Sequence, residues 1–141
     1  MFEENIGVSQ RLLTDVFGEG KLELIDEYCA ENYVGHDPLS GDQDREASKE
    51  QITNYRNAFP DLKFTVDDAF AIDDKVVMRW TGIGTFENPL MGIEPTGTSG
   101  DPVHGITIDR YEDGLVVESW NQWDTLTFMR NLGVVGQEAA A

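Results

Sequence analysis

Apolar residues recur first at helical and then at strand spacing along this chain. Val8, Leu12, Leu13, Val16 and Phe17 form one stripe and predict a helix over 5–17, ended by Gly18 and Gly20. Leu22, Ile25 and Tyr28 repeat the pattern over 21–29, where Cys29 reads as a small buried hydrophobe. Residues 32–36 form a short extended piece before the turn signal Asp37-Pro38, and 39–44 a polar loop. Ile52, Tyr55 and Phe59 mark a third helix over 45–59, which Pro60-Asp61 ends.

The period then changes to two. Phe64, Val66, Phe70 and Ile72 alternate with polar neighbours over 63–72, and Asp73-Asp74 makes a turn. Residues 75–86 are apolar on both faces, as expected of a strand covered on both sides. Residues 87–102, with Pro89, Pro95 and Pro102, form a long loop in which Met91 and Ile93 suggest a lid or a subunit contact. A last helical piece spans 126–132 before Gly133, and the tail Ala139-Ala140-Ala141 should fray.

Residues 104–124 make a hairpin about Glu112-Asp113-Gly114, since Gly114 accepts the positive φ that the turn requires. A two-residue loop places His104 opposite Trp123, whereas a three-residue loop bulged at Gly114 places it opposite Gln122. A one-residue slip exchanges the faces. The bulged loop is preferred because it gathers His104, Ile106, Ile108, Trp120, Gln122 and Asp124 on one surface. An apolar floor with a rim of His, Gln and Asp has the composition of a small-molecule pocket.

Helices followed by hairpin-linked strands define one α+β domain over 1–141. Its three helices cover one face of a four- or five-stranded sheet. Curvature at Gly82, Gly84 and a bulge would make a cone-shaped cavity. The far face needs its own cover, and a second copy of the chain, giving a homodimer, is the simplest source.

Charge narrows the partners. Twenty-seven acidic against ten basic residues give a formal charge of −17, spread along the whole chain. Nucleic acid and anionic membranes should be repelled. An acid-rich, lysine-poor surface resembles that of proteins from salt-loving organisms. With one cysteine, no internal disulfide is possible, and a reducing cytoplasmic setting fits. No apolar run approaches the ~18 residues of a membrane span.

Six motifs in register carry a resemblance that covers almost the whole chain. They are Tyr33-Val34-x-His36-x-Pro38, Ala58-Phe59-Pro60-Asp61-Leu62, Val76-Val77-Met78-Arg79-Trp80, Gly92-Ile93-x-Pro95-Thr96-Gly97, Asp113-Gly114-x-Val116-Val117-Glu118-x-Trp120 and Asp124. Together they resemble the SnoaL-like polyketide cyclases of the nuclear-transport-factor-2-like superfamily. The resemblance implies a cone-shaped α+β barrel with a mainly antiparallel sheet. It also implies catalysis without metal or organic cofactor, by an aspartate near the end of the last strand in an intramolecular aldol closure.

Asp124 stands at that place. It could abstract a proton next to a carbonyl if an apolar cavity raised its pKa. It also directly precedes the last helix, where Asp is a favoured N-cap, and capping donors would lower the pKa instead. His104 and His36 could each polarise a carbonyl oxygen or shuttle a proton. Alternatively, His104 is a polar residue at a strand start and His36 stabilises the Asp37-Pro38 turn. Neither shows metal-ligand spacing to the other. Gln122 would orient the substrate, and Trp120 is packing or an apolar wall. Trp80, Met78 and Phe86 are core or pocket lining. Arg79, a charge in a buried strand, needs a partner and could bind substrate, although an ion pair fits it better. The leading expectation is acid-base chemistry on a small, largely apolar carbonyl compound. The rival is a non-catalytic binding or dimerisation module of the same shape.

Overall fold

The structure, a computed structural model, describes residues 2–135. The tail expected to fray lies outside them. Helix α1 (Phe2–Arg11) runs directly into a π-helical turn, Leu12–Phe17, which brings both Leu13 and Val16 into the core. Helix α2 (Glu23–Tyr28) is followed by strand β1 (Cys29–Asp37), short strand β2 (Gly41–Gln43) and helix α3 (Arg45–Ala58). Four longer strands come next: β3 (Lys63–Ile72), β4 (Lys75–Ile83), β5 (Val103–Glu112) and β6 (Leu115–Trp123). Helix α4 (Thr125–Leu132) closes the order.

All six strands form one curved, unclosed sheet in the order β2-β1-β6-β5-β4-β3. Every pairing is antiparallel except β1 with β6. The sheet thus has two more strands than the meander from Lys63 onward supplies. Residue 29 was expected to end a helix, 32–36 to be a short extended piece and 39–44 a loop; the extended piece is instead the nine-residue β1, and the loop holds its hairpin partner β2. The parallel β1–β6 pair joins segments far apart in the chain, so no turn signal announces it.

Helices α1 and α3 and the π-helical turn pack on one face of the sheet. Val76, Met78 and Trp80 of β4, Tyr111 of β5 and Val116 of β6 meet Leu13, Val16, Ile25 and Ile52 in the main core. A second cluster joins Phe59, Phe86, Leu90, Phe128 and Leu132, with Ile93 packed against it. Ile93 is therefore core cover, while Met91 is exposed.

The β5–β6 hairpin takes the two-residue loop rather than the preferred three-residue one, and adds a bulge that neither reading contained. Asp113 and Gly114 both have positive φ, 51° and 81°, and Glu112 pairs with Leu115, which makes a two-residue turn. A bulge follows on β6: Arg110 pairs with Glu118 and Tyr111 with Val116, leaving Val117 as the extra residue. Val116 and Val117 are both buried, which strict alternation forbids. The bulge restores the face grouping that the three-residue loop had suggested, with Ile106 opposite Gln122 and Ile108 opposite Trp120. That face, however, is the outer one. The helices cover the face that carries Gly105, Thr107, Asp109 and Tyr111.

Candidate active site

Between the helices and the inner face lies a cavity of about 200 Å³. That is room for a small organic molecule rather than a single water. Its apolar wall comes from Leu13, Val16 and Ile52 on the helical side and Met78, Trp80 and Phe64 on the sheet. Val103, Thr107 and Asp109 lie along one strand of the lining. At about 3.3 Å per residue, Asp109 sits roughly 20 Å from Val103. Exposed Ser99 and Asp101 mark the Val103 end as the mouth, and buried Ser9 and Asp109 mark the closed end.

Asp109 is the distinctive group. It is 3% exposed. Ser119 donates to its Oδ1 at 2.6 Å, and Ser9 lies within hydrogen-bond reach. Burial pushes its pKa up, and the Ser119 hydroxyl only partly offsets this. Counting protons gives the same answer. Tyr111 spends its one phenolic proton on the Asn5 carbonyl (2.8 Å), so Ser9 must donate to the Tyr111 oxygen 2.6 Å away. Ser9 then has nothing to give Asp109 and can only accept from it. On the other side, Tyr33 bonds to Ser119, whose own proton is already committed to Asp109. Every hydroxyl in this set is satisfied when Asp109 carries a proton.

A second polar set lies one step towards the mouth. Trp80 Nε1 donates to Thr107 Oγ1 (2.9 Å), and Thr107 donates to Asn121 Oδ1 (2.7 Å). Farther along, Trp123 Nε1 donates to Asp37 Oδ1 at 2.9 Å. The other oxygen of Asp37 accepts from the Leu39 and Ser40 amides, holding the β1–β2 turn. Cys29 also lines the cavity, but burial pushes its thiol up to about 12, so it is inert.

Of the residues anticipated for the pocket, Met78 and Trp80 line it. The others are placed elsewhere. Phe86 is fully buried in the second cluster, stacked on Phe59 with centroids 5.3 Å apart. Arg79, expected in a buried strand, is exposed on the outer face with Asp67 at 3.9 Å, a loose pair. His104 is exposed there too, 3.0 Å from Thr81 Oγ1. Trp120 and Gln122 share that face. His36 is held between Glu118 and Asp42, 2.7 Å from each, and stacks on Trp120. These carboxylates, Glu118 first, raise its pKa.

Asp124 caps α4. Its Oδ2 accepts from the Thr127 hydroxyl at 2.6 Å and its Oδ1 from the Thr127 amide at 3.0 Å. These two donors lower its pKa, the opposite of what a desolvated base requires. Phe86 is core, the other reading open to it, and the pocket membership expected of Asp124, His104, His36, Gln122, Trp120 and Arg79 is corrected by one cause. The anticipated floor is the outer face of the sheet, and the cavity lies against the opposite face. Asp124→Ala should cost about 0.5–2 kcal/mol while Asp124→Asn is silent, which thermal denaturation of both variants measures. A loss of stability in the Asn variant would contradict the capping role.

Sequence reasoning missed Asp109, Ser119, Asn121 and Thr107 because alternating polar residues on a strand ordinarily face water. One signal was available. Gly105, in mid-strand on the same face, marks a close approach of the chain to a bulky neighbour.

Comparison with known proteins agrees with this architecture. AclR from Streptomyces galilaeus, described as a candidate hydroxylase, superposes with a TM-score of 0.85 at 23% identity, over 97% of this chain and 89% of its own. A candidate polyketide cyclase from Acidithiobacillus ferrooxidans superposes with a TM-score of 0.81 at 28% identity, over 93% and 95%. IdmH from Streptomyces antibioticus, also described as a candidate polyketide cyclase, has a TM-score of 0.72 at 30% identity, over 86% and 93%. No match was found among curated proteins. The likeness to AclR is one of fold alone, and fold does not fix reaction. The family model for SnoaL-like polyketide cyclase matches residues 7–132, which takes in α2, α3, every strand and the cavity between them, so the chain belongs to the SnoaL-like polyketide cyclase family.

Proposed function

We propose that the protein is a cofactor-independent enzyme of the cyclase or isomerase type, moving a proton on a small, largely apolar carbonyl compound held in the conical cavity. The observation that carries this reading is Asp109, an acid buried at the closed end of an apolar cavity with no basic group paired to it. Burial favours the neutral form of such a carboxyl, which can donate as an acid, while its ionised form is a desolvated base. As a base, it takes a proton from the carbon next to a carbonyl. The C–H pair becomes an enolate, and Asp109 returns the proton at another carbon or at the oxygen formed in ring closure. Atoms and charge balance without a co-reactant.

The test is deuterium incorporation. Aryl ketones and cyclic 1,3-diketones incubated with the protein in D2O should gain deuterium next to the carbonyl at a saturable rate above the solvent background. Bound ketones that exchange no faster than in buffer would favour the binding-module reading.

Assembly belongs to the same proposal. Phe70, Val77, Ile108 and Trp120 lie side by side across β3 to β6, ending on His36 of β1. Phe70 and Ile106 are 52% and 47% exposed on that outer face. Arg79 and Arg110 supply basic charge there, whereas the chain as a whole is strongly acidic. This balanced, apolar face suits a second copy of the chain. Sedimentation in high salt should give about twice 15.8 kDa, and Ile108→Asp should give the monomer. A monomeric wild type would remove the homodimer.

The charge of −17 also supports adaptation to salt. At molar KCl the screening length falls to roughly 3 Å, so self-repulsion fades. The thermal midpoint should climb steeply from dilute buffer to molar KCl, and a flat response would contradict the adaptation.

A further inference from the structure

We infer that Asn121 supplies the hydrogen bond that stabilises the substrate's developing enolate oxygen, with Thr107 and Trp80 as the residues that aim it. The inference rests on the acid-base reading of Asp109 and adds to it the group that receives the negative charge.

The orientation of the Asn121 amide is decided from both ends. Trp80 Nε1 can only donate, and it occupies one lone pair of Thr107 Oγ1 at 2.9 Å. The proton of Thr107, itself buried, therefore needs an acceptor, and Asn121 Oδ1 at 2.7 Å is that acceptor. At the other end, Asn121 Nδ2 faces the His36 carbonyl at 3.4 Å, which can only accept. Reversing the amide would set its nitrogen against Trp80's relay and its oxygen against a carbonyl. So the oxygen is locked to Thr107, and Nδ2 is held towards β1.

One of the two Nδ2 protons is enough for the His36 carbonyl, and that bond is long. The second meets no acceptor among the described residues, on a side chain that lines the cavity. An N–H held in place by a buried relay and left free at an apolar cavity wall is a preorganised donor. Its position suits the chemistry. Thr107 pairs with Asn121 and Asp109 with Ser119, so Asn121 and Asp109 are diagonal neighbours on the inner face. Such Cβ atoms stand roughly 7–8 Å apart. A ketone fits between them, its oxygen on Asn121 Nδ2 and its neighbouring carbon facing Asp109. Among the described residues, no lysine, arginine or histidine lines the cavity, so the enolate charge meets no cation from them.

The test uses 2-naphthol, whose anion mimics a planar enolate, and naphthalene as the uncharged control of the same shape. Fluorescence titration against pH reads which form of naphthol is bound. The measurement is made in the Asp109→Asn protein, so that no carboxyl competes for the anion. The expected result is that bound naphthol ionises at a lower pH than free naphthol. Adding Asn121→Ala or Thr107→Val should weaken anion binding at least tenfold and leave naphthalene binding unchanged. Thr107→Ser, which keeps the relay hydroxyl, should restore it. A structural role alone would move both ligands together. Unchanged anion affinity in Asn121→Ala overturns the inference, as does a protein that binds naphthalene but never the anion. Failure to bind either ligand overturns it as well, since the cavity then admits no such guest. Deuterium exchange in wild type and Asp109→Asn reads the acid-base role separately, so either reading can fail without the other.

Discussion

Asp109→Asn should slow proton exchange next to a substrate carbonyl by about 100-fold or more, and should leave the protein as stable as wild type or more so. The hydrogen bonds explain why both results are expected from one atom. A protonated Asp109 accepts from Ser119 and donates to Ser9. An asparagine reproduces that pattern, with Oδ1 accepting and Nδ2 donating, in nearly the same volume. It cannot take up or release a proton, and it removes the cost of ionising a buried group, which no cation offsets.

The pH dependence distinguishes this from a general effect on packing. The carboxyl has an ordinary value of 3.8 and a raised one in the fold. Between the two, the folded protein binds a proton that the unfolded chain has released, so unfolding becomes easier as pH rises through that window. The Asn variant lacks this slope. Its stability relative to wild type should therefore grow as pH rises above 3.8 and level off once Asp109 ionises in the fold. Glu118 and Asp124, whose pKa values are lowered, act in the opposite sense and lose their contribution as pH falls. His36, raised, contributes below its unfolded value of 6.5 and loses it as pH climbs through the folded one. All three are common to both proteins and cancel in the difference. A constant difference across the range would mean that Asp109 is charged in the fold.

The fold was largely legible because its signals are local. The helical stripes of the π-helical turn and α3 and the alternation in β3 announce themselves through the spacing of Leu13, Val16, Ile52 and Phe64. Strand β1 was legible only as a short extended piece over 32–36, since a parallel partner some 80 residues away leaves no turn to fix its extent. The site was legible only in its apolar wall, Met78 and Trp80. Its polar wall went unread for a physical reason. A sheet face that lines a cavity for a functional ligand carries polar groups inside, whereas a face that meets another subunit carries apolar groups outside. Thr107, Asp109, Ser119 and Asn121 against Ile106, Ile108 and Trp120 therefore invert the usual sorting. The run Val116-Val117 held the clue to the bulge, because two successive buried apolar residues break a two-residue period.

Gly105→Ala should cost about 1–3 kcal/mol of stability and shrink the cavity, a large effect for one methyl group. Gly105 is buried on the inner face of β5, opposite Trp80 of β4. A Cβ placed there would lie 2.6 Å from Trp80 Cη2 and 2.7 Å from Cε2, well inside van der Waals contact. The indole cannot easily give way. It is 7% exposed, its Nε1 is bonded to Thr107, and Phe64 meets it edge-on with centroids 5.3 Å apart. Moving it into the cavity breaks the Thr107 bond, and keeping it in place forces β5 outward, stretching the pairings with β4 and β6. Both routes release Asn121 from its relay. The Ala variant should thus lower the thermal midpoint and also weaken naphtholate binding more than naphthalene binding. Gly84 supplies the control. Its added Cβ would meet Phe59 Cβ at 3.1 Å, away from the indole, so Gly84→Ala should affect stability without altering the preference for the anion. If Gly105→Ala is as stable as wild type and keeps its indole bond to Thr107, the close approach of β5 to Trp80 is not what requires glycine there.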